Sequence, residues 1–294
     1  MLSDAQRLAL VYDAHSHIHL DSSEVGVTEM RTVLAKLGGA ALMSTGDDDW
    51  EAAVAAASAS PNTRCLLGVH PWFAHRYAED QAWVAELRDR LMRTPGSGVG
   101  EIGLDKQWRT PDTGQVEYAA QLEVFHAQLA LAAELALPVS VHCVHAQGDI
   151  YQALASASTL PPTIYLHAFG GAAGTVEQLT RSRGFGDRLY FGFAACINLR
   201  SSKSRAAIAA VPDDRLVIES DRSSAARQGV IEGELLKMLE IYTEIKGWST
   251  VEDTIKRTAH NAERLYAPAD VPRTRGLQTV ISDEIRGKRD KLRP

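Results

Sequence analysis

Short apolar runs alternate with longer amphipathic stretches along most of the chain. The runs are LALVYDAH (8–15), GAALMSTG (39–46), TRCLLGVH (63–70), SGVGEIGLD (97–105), LPVSVHC (137–143), PTIYLHAFG (162–170), RLYFGFAACI (188–197) and DRLVIESD (214–221). Their near-continuous apolar character predicts strands of a parallel sheet covered on both faces. The stretches between them have helical length, as in DDDWEAAVAAASAS (47–60) and AEDQAWVAELRDRLMRT (78–94). In GQVEYAAQLEVFHAQLALAAELAL (114–137), Leu122, Phe125, Leu129 and Ala132 or Ala133 fall at helical spacing. VIEGELLKMLEIYTEI (230–245) closes the series. This alternation predicts an α/β fold of the (β/α)8 TIM-barrel type, with a doubly wound open sheet as the alternative. An open sheet usually carries a glycine-rich phosphate loop after its first strand, and that place holds DAHSHIH instead. No linker divides the chain, so residues 1–294 read as one barrel. Its core covers about 10–266, and a basic extension over 267–294 is expected to form a short helix and a loose end.

The predicted strands end in polar residues, where barrel enzymes keep their chemistry. Strand one ends in His15 and His17, strand three in His70, and strand four in Glu101 and Asp105. Strands five and six end in His142 and His167, and strand eight in Glu219 and Asp221. Side chains two apart on a strand share a face, so His15 and His17 project together. Four imidazoles (His15, His17, His142, His167) and two carboxylates (Glu101, Asp221) make a ligand set for one or two divalent cations. Zinc, manganese and magnesium all stay open. His19, just beyond, suits a loop or the pocket mouth, and Asp13 is placed to orient an imidazole from behind.

Charge and cysteine content narrow the setting. A formal charge of −6 gives no global field to attract nucleic acid, so any phosphate contact must be local. Cys65, Cys143 and Cys196 form no CxxC pair and read as reduced thiols. No signal peptide and no membrane-spanning run is apparent, which predicts a soluble cytoplasmic protein, with nuclear entry left open.

Motifs in order along the chain resemble the TatD family of metal-dependent hydrolases, among the amidohydrolase-like barrels. DAHSH resembles the family's DxHxH, GVHPW its GxHP, and VGEIGLD its GEIGLD. The stretch QLEVFHAQLALAAELALPVSVHC resembles its next helix and strand, and HAFGG and ESD stand where HCFSG and ETD are usual. HNAERLY resembles its terminal Asn-containing helix, so the likeness spans about 10–266. It implies a two-metal deoxyribonuclease. His15, His17 and Asp221 would hold one ion, His142 and His167 the other, and Glu101 would bridge them. Asp221 would accept the proton of the attacking water, and His70 would face the substrate. Val144 stands where the family has arginine, Trp72 where it has a second histidine, and Arg222-Ser223-Ser224 replaces the residues after ETD. These positions are expected to line the substrate face, with Arg222 either a substitute phosphate donor or a grip on a carboxylate.

Three functions follow. The first is a metal-dependent phosphodiesterase acting on DNA. The second is a small-molecule hydrolase opening an amide, cyclic amide, formamide or lactone, favoured by the lost arginine and the apolar Trp72. The third is a binding scaffold, against which the intact ligand set speaks.

Overall fold

A computed structural model describes residues 2–267. Its strands are β1 (Tyr12–Ser16), β2 (Gly39–Met43), β3 (Thr63–Leu67), β4 (Gly98–Asp105), β5 (Val139–Val144), β6 (Ile164–Leu166), β7 (Leu189–Ala194) and β8 (Leu216–Glu219). They form one sheet in sequential order, and every adjacent pair is parallel. A short helix α1 (Asp4–Leu8) precedes β1. The crossovers carry α2 (Glu24–Lys36), α3 (Asp47–Ser58), α4 (Ala82–Arg93), α5 (Tyr118–Glu134), α6 (Gln147–Ser156) and α7 (Ala173–Thr180). Between β7 and β8 lie α8 (Ala195–Asn198) and α9 (Ser202–Ala210), and α10 (Val230–Lys246) and α11 (Val251–Leu265) follow. The (β/α)8 reading therefore holds. The basic extension expected over 267–294 lies almost wholly outside the described residues.

Between β8 and β1 the barrel is joined by backbone hydrogen bonds. The Asp221 N–H donates to the His15 carbonyl at 2.9 Å and the His17 N–H to the Arg222 carbonyl at 2.7 Å. Asp13 reinforces this seam, accepting from the Ser220 N–H at 2.9 Å and its hydroxyl at 2.6 Å. Asp13 thus spans two strands, and its bonds run to Ser220 and to the His15 backbone rather than to an imidazole as expected.

Strand alternation divides the core in two. Ala40 and Leu42 of β2 pack outward against helices, while Ala41 and Met43 join Ala14, Leu66, Tyr165, Tyr190 and Val217 within the barrel. Ala262 and Leu265 of α11 join this inner cluster, and the Tyr266 hydroxyl reaches the Ala14 carbonyl at 2.6 Å. α11 therefore plugs the end opposite the polar strand ends.

One predicted boundary moved. LALVYDAH was expected to be all strand, yet α1 covers residues 4–8 and β1 starts at Tyr12. A capping box is the cause: the Ser3 hydroxyl accepts from the Gln6 N–H, and the Gln6 side chain accepts from the Ser3 N–H.

Candidate metal centre

Two register shifts aim the central ligands. β1 slips against β2 between Asp13 and Ser16, around His15, and β4 slips against β5 between Val99 and Ile102, around Glu101. Such bulges re-aim side chains at barrel rims. Gly103 follows at φ +145°, where a Cβ would run into the His142 carbonyl, so only glycine lets β4 lie this close to β5. Asp221 leaves β8 in the left-handed region at φ +50°, a conformation that aspartate tolerates better than most residues.

Glu101 sits at the focus. Its Oε1 lies 2.6 Å from His167 Nε2, 2.8 Å from His142 Nδ1 and 3.2 Å from His70 Nε2. Its Oε2 lies 2.9 Å from His17 Nε2 and 3.2 Å from His15 Nε2. Asp221 Oδ1 stands 3.6 Å from His15 Nε2 and 3.7 Å from His17 Nε2. Three sets have ligand atoms within 4.8 Å of one another: His15, His17 and Asp221; His15, Glu101 and His167; and His70, Glu101 and His142. The structure thus brings all six expected ligand residues together. It also brings His70, expected to face substrate, within direct reach of Glu101.

The donor set fits cations. His15 Nε2 and His17 Nε2 stand 3.1 Å apart, and the His15 and His167 rings stack at 3.8 Å. Imidazoles crowded this closely around one buried carboxylate are the mixed nitrogen and oxygen shell that borderline divalent ions take. Backing contacts fix the rings: His17 Nδ1 meets the Met43 carbonyl at 2.6 Å, and His15 Nδ1 meets the Ser140 hydroxyl at 2.9 Å.

Burial and charge divide the ionisation states. Burial would raise Glu101, yet the positive charge of the His167 imidazole, helped by a hydrogen bond from His142, holds its carboxyl well below the usual range. Burial pushes His15 well down and His70 down to about 4, favouring neutral rings. Burial also opposes charge on His17 and His142, but hydrogen bonds to carboxylates raise both to about 9, through Glu101 for His17 and chiefly Asp105 for His142. Burial lifts Asp221 above the ordinary carboxylate value.

The other residues singled out from the sequence lie around this cluster. Glu219 enters none of the three ligand sets. Its carboxylate accepts from the Tyr165 hydroxyl and from the Ala168 N–H at 2.6 Å, and burial raises it to about 8. His19 is buried in a 3-10 turn with Nε2 3.8 Å from Asp49, away from the ligand sets. Arg222, expected as a free phosphate donor, is held by Glu234 of α10 through both oxygens, Nε at 2.8 Å from one of them. Val144 ends β5 half-buried, its carbonyl taking the Lys106 N–H at 3.1 Å.

Asp105 has a clear positioning role. Its Oδ2 accepts from the Trp72 indole at 2.8 Å and lies 3.3 Å from His142 Nε2, while Oδ1 accepts from the N–H groups of Gln107 and Trp108. Burial opposes its charge, but these contacts hold its carboxyl well below the usual range. Two glutamines of α5 were missed altogether. Gln128 brackets the backbone of Val69, accepting its N–H at 2.7 Å and donating to its carbonyl at 3.0 Å. Gln121 does the same to Asp105, at 2.7 and 3.0 Å. The available signal was their seven-residue spacing, which places both on one helix face.

The profile of the family described as "TatD related DNase" matches residues 12–267. The chain belongs to this TatD-related family. The "3'-5' ssDNA/RNA exonuclease TatD" of Edwardsiella piscicida is 34% identical over 206 residues, covering 68% of this chain and 74% of that protein. The Cut9-interacting protein scn1 of Schizosaccharomyces pombe is 29% identical over 224 residues, 62% of this chain and 65% of that protein. A TatD homologue from Escherichia coli, YJJV, shares the fold at TM-score 0.72 and 23% identity, covering 90% of this chain and 100% of that one. Against this TatD background, the ordered motifs become physical features: DAHSH and GEIGLD are the two bulged strand segments, and QLEVFHAQ holds the two bracketing glutamines.

Proposed function

We propose that the protein is a divalent-metal-dependent phosphodiesterase that cleaves single-stranded nucleic acid. The observation that carries this reading is the convergence of five imidazoles, Glu101 and Asp221 at one barrel rim in a TatD-family chain. His15, His17 and Asp221 would hold one ion, His142 and His167 the second, with Glu101 between them. His70 stands next to the second pair. Bound divalent cations supply Lewis-acid activation of water and stabilise charge on phosphoryl oxygens. Asp221, beside His15 and His17 at the rim, is the group suited to take the proton of attacking water. The imidazole-rich shell suits zinc or manganese better than magnesium. Relatives named as single-strand exonucleases favour a phosphodiester over a small amide or lactone, and so many buried donors around one carboxylate have no use in a bare scaffold. Among the described residues no helix is long and apolar enough to cross a membrane, and the three cysteines are free, which fits a reducing cytoplasm.

The test is elemental analysis beside a substrate panel. Purified protein should carry up to two divalent ions per chain and cut single-stranded DNA but not amides or lactones. His15→Ala and His142→Ala should each lose metal and activity while keeping the fold, since the barrel core lies below the site. Wild-type metal content in both variants would end the ligand assignment.

A further inference from the structure

Beside the ligand cluster stands an aromatic platform that the metal chemistry does not use. Trp72 is 39% exposed, and what sets it apart from a lone surface side chain is the ring beside it. Its ring meets His70 edge-on at 4.9 Å and His142 at 6.3 Å, so it borders the groups that surround Glu101. On its other contacts it lies nearly parallel to Trp108, with centroids 5.9 Å apart and planes within 10°. His75 continues the row against Trp108 at 6.0 Å and 27°. Trp72, Trp108 and His75 thus stack in a row that touches the site through Trp72.

The platform is held in place. The Trp72 indole N–H is given to Asp105, and the same carboxylate oxygen contacts His142. The only polar atom of the Trp72 side chain is therefore satisfied, and what the ring offers a ligand is π surface. The loop after β4 that carries Trp108 is tied to Asp105 as well, through the Gln107 and Trp108 N–H groups.

Electrostatics points the same way. The chain carries a formal charge of −6, and Arg222 is engaged by Glu234. With Arg222 engaged, a strand can still gain affinity through its bases, and base–aromatic stacking supplies it regardless of sequence. Bases inside a duplex are covered by their neighbours, so only unpaired ones can meet a ring.

We propose that Trp72, backed by Trp108 and oriented by Asp105, is a stacking subsite for an unpaired nucleobase next to the scissile phosphate. This deepens the phosphodiesterase reading and rests on it. The subsite makes the enzyme selective for single strands that carry a base at that position, in DNA or RNA alike.

The experiment compares a short fluorescein-labelled oligothymidylate with a strand of equal length and charge whose terminal nucleotides lack bases. Binding is read by anisotropy on the metal-loaded protein with cleavage-resistant phosphorothioate strands, and cleavage of the ordinary strands is read separately with manganese. Wild-type protein is expected to bind the base-bearing strand about tenfold more tightly, the scale of one stacked base. Trp72→Ala should bind both strands at the abasic level, Trp72→Phe should keep part of the preference, and Trp108→Ala should weaken it. Wild-type binding that ignores the missing bases, or a preference undiminished in a folded Trp72→Ala, would overturn the subsite. Those results leave the phosphodiesterase reading standing if both strands are cut. Wild-type protein that holds its metal and cuts neither strand would overturn that reading itself, and the subsite with it.

Discussion

At the scale of single residues, Glu101 bears the most contacts in the site, meeting five imidazoles through its two oxygens. A carboxylate this buried stays ionised only because positive charge surrounds it. Glu101→Gln keeps the shape and removes the charge, so both ions should bind more weakly and turnover should fall by orders of magnitude. Titration with manganese followed by a cleavage assay checks this, and turnover within about threefold of wild type at saturating metal would show that Glu101 is not a ligand. The sequence singled out Glu101 because an acidic residue in an apolar run is conspicuous, although it lies within β4 and Asp105 holds the strand end. Glu219 sits in a similar run but is no candidate ligand, and it is engaged by Tyr165 and Ala168. The sequence could not show that Glu234, twelve residues on, occupies the Arg222 guanidinium.

Helix α5 shows the same limit at the scale of elements. Periodicity put Leu122, Phe125 and Leu129 on its packed face, and Phe125 and Leu129 are indeed buried. Leu122 is only partly buried, and Gln121 and Gln128 take the inner face. Their amides bracket Asp105 and Val69, the residues that precede the loop to Trp108 and His70. Gln128→Leu would leave the buried N–H and carbonyl of Val69 without partners, costing about 2–4 kcal/mol. Leu122→Ala should cost less than about 1.5 kcal/mol, since little surface is buried there. Urea denaturation of both variants decides, and the reverse order would show that α5 is held by apolar packing alone. Hydrophobic periodicity misses such glutamines because it scores them as solvent-facing.

At the scale of the whole molecule, the acidic balance sets how the protein meets a polyanion. Single-strand binding loses affinity with salt in proportion to the phosphates neutralised, with a log–log slope of about −0.7 per contact. With Val144 apolar and Arg222 held by Glu234, wild-type binding should show a slope no steeper than about −1.5. Val144→Arg should steepen it by about 0.7 and raise nuclease activity, while Arg222→Ala should leave affinity within about twofold. Anisotropy over a salt series checks all three, and an unchanged slope in Val144→Arg would show that the end of β5 does not face the strand. The sequence by itself determined the barrel, because eight apolar runs separated by helical stretches leave few other ways to bury both sheet faces. It also determined the six candidate ligands, since polar residues at the ends of parallel strands must share one rim. Only the tertiary structure decided which partner each polar group meets. It spent Asp13 on the seam between β1 and β8, set His70 against Glu101, and aligned Trp72 with Trp108. Those pairings join residues far apart in the chain, and they depend on strand register, bulges and loop paths that local pattern does not encode.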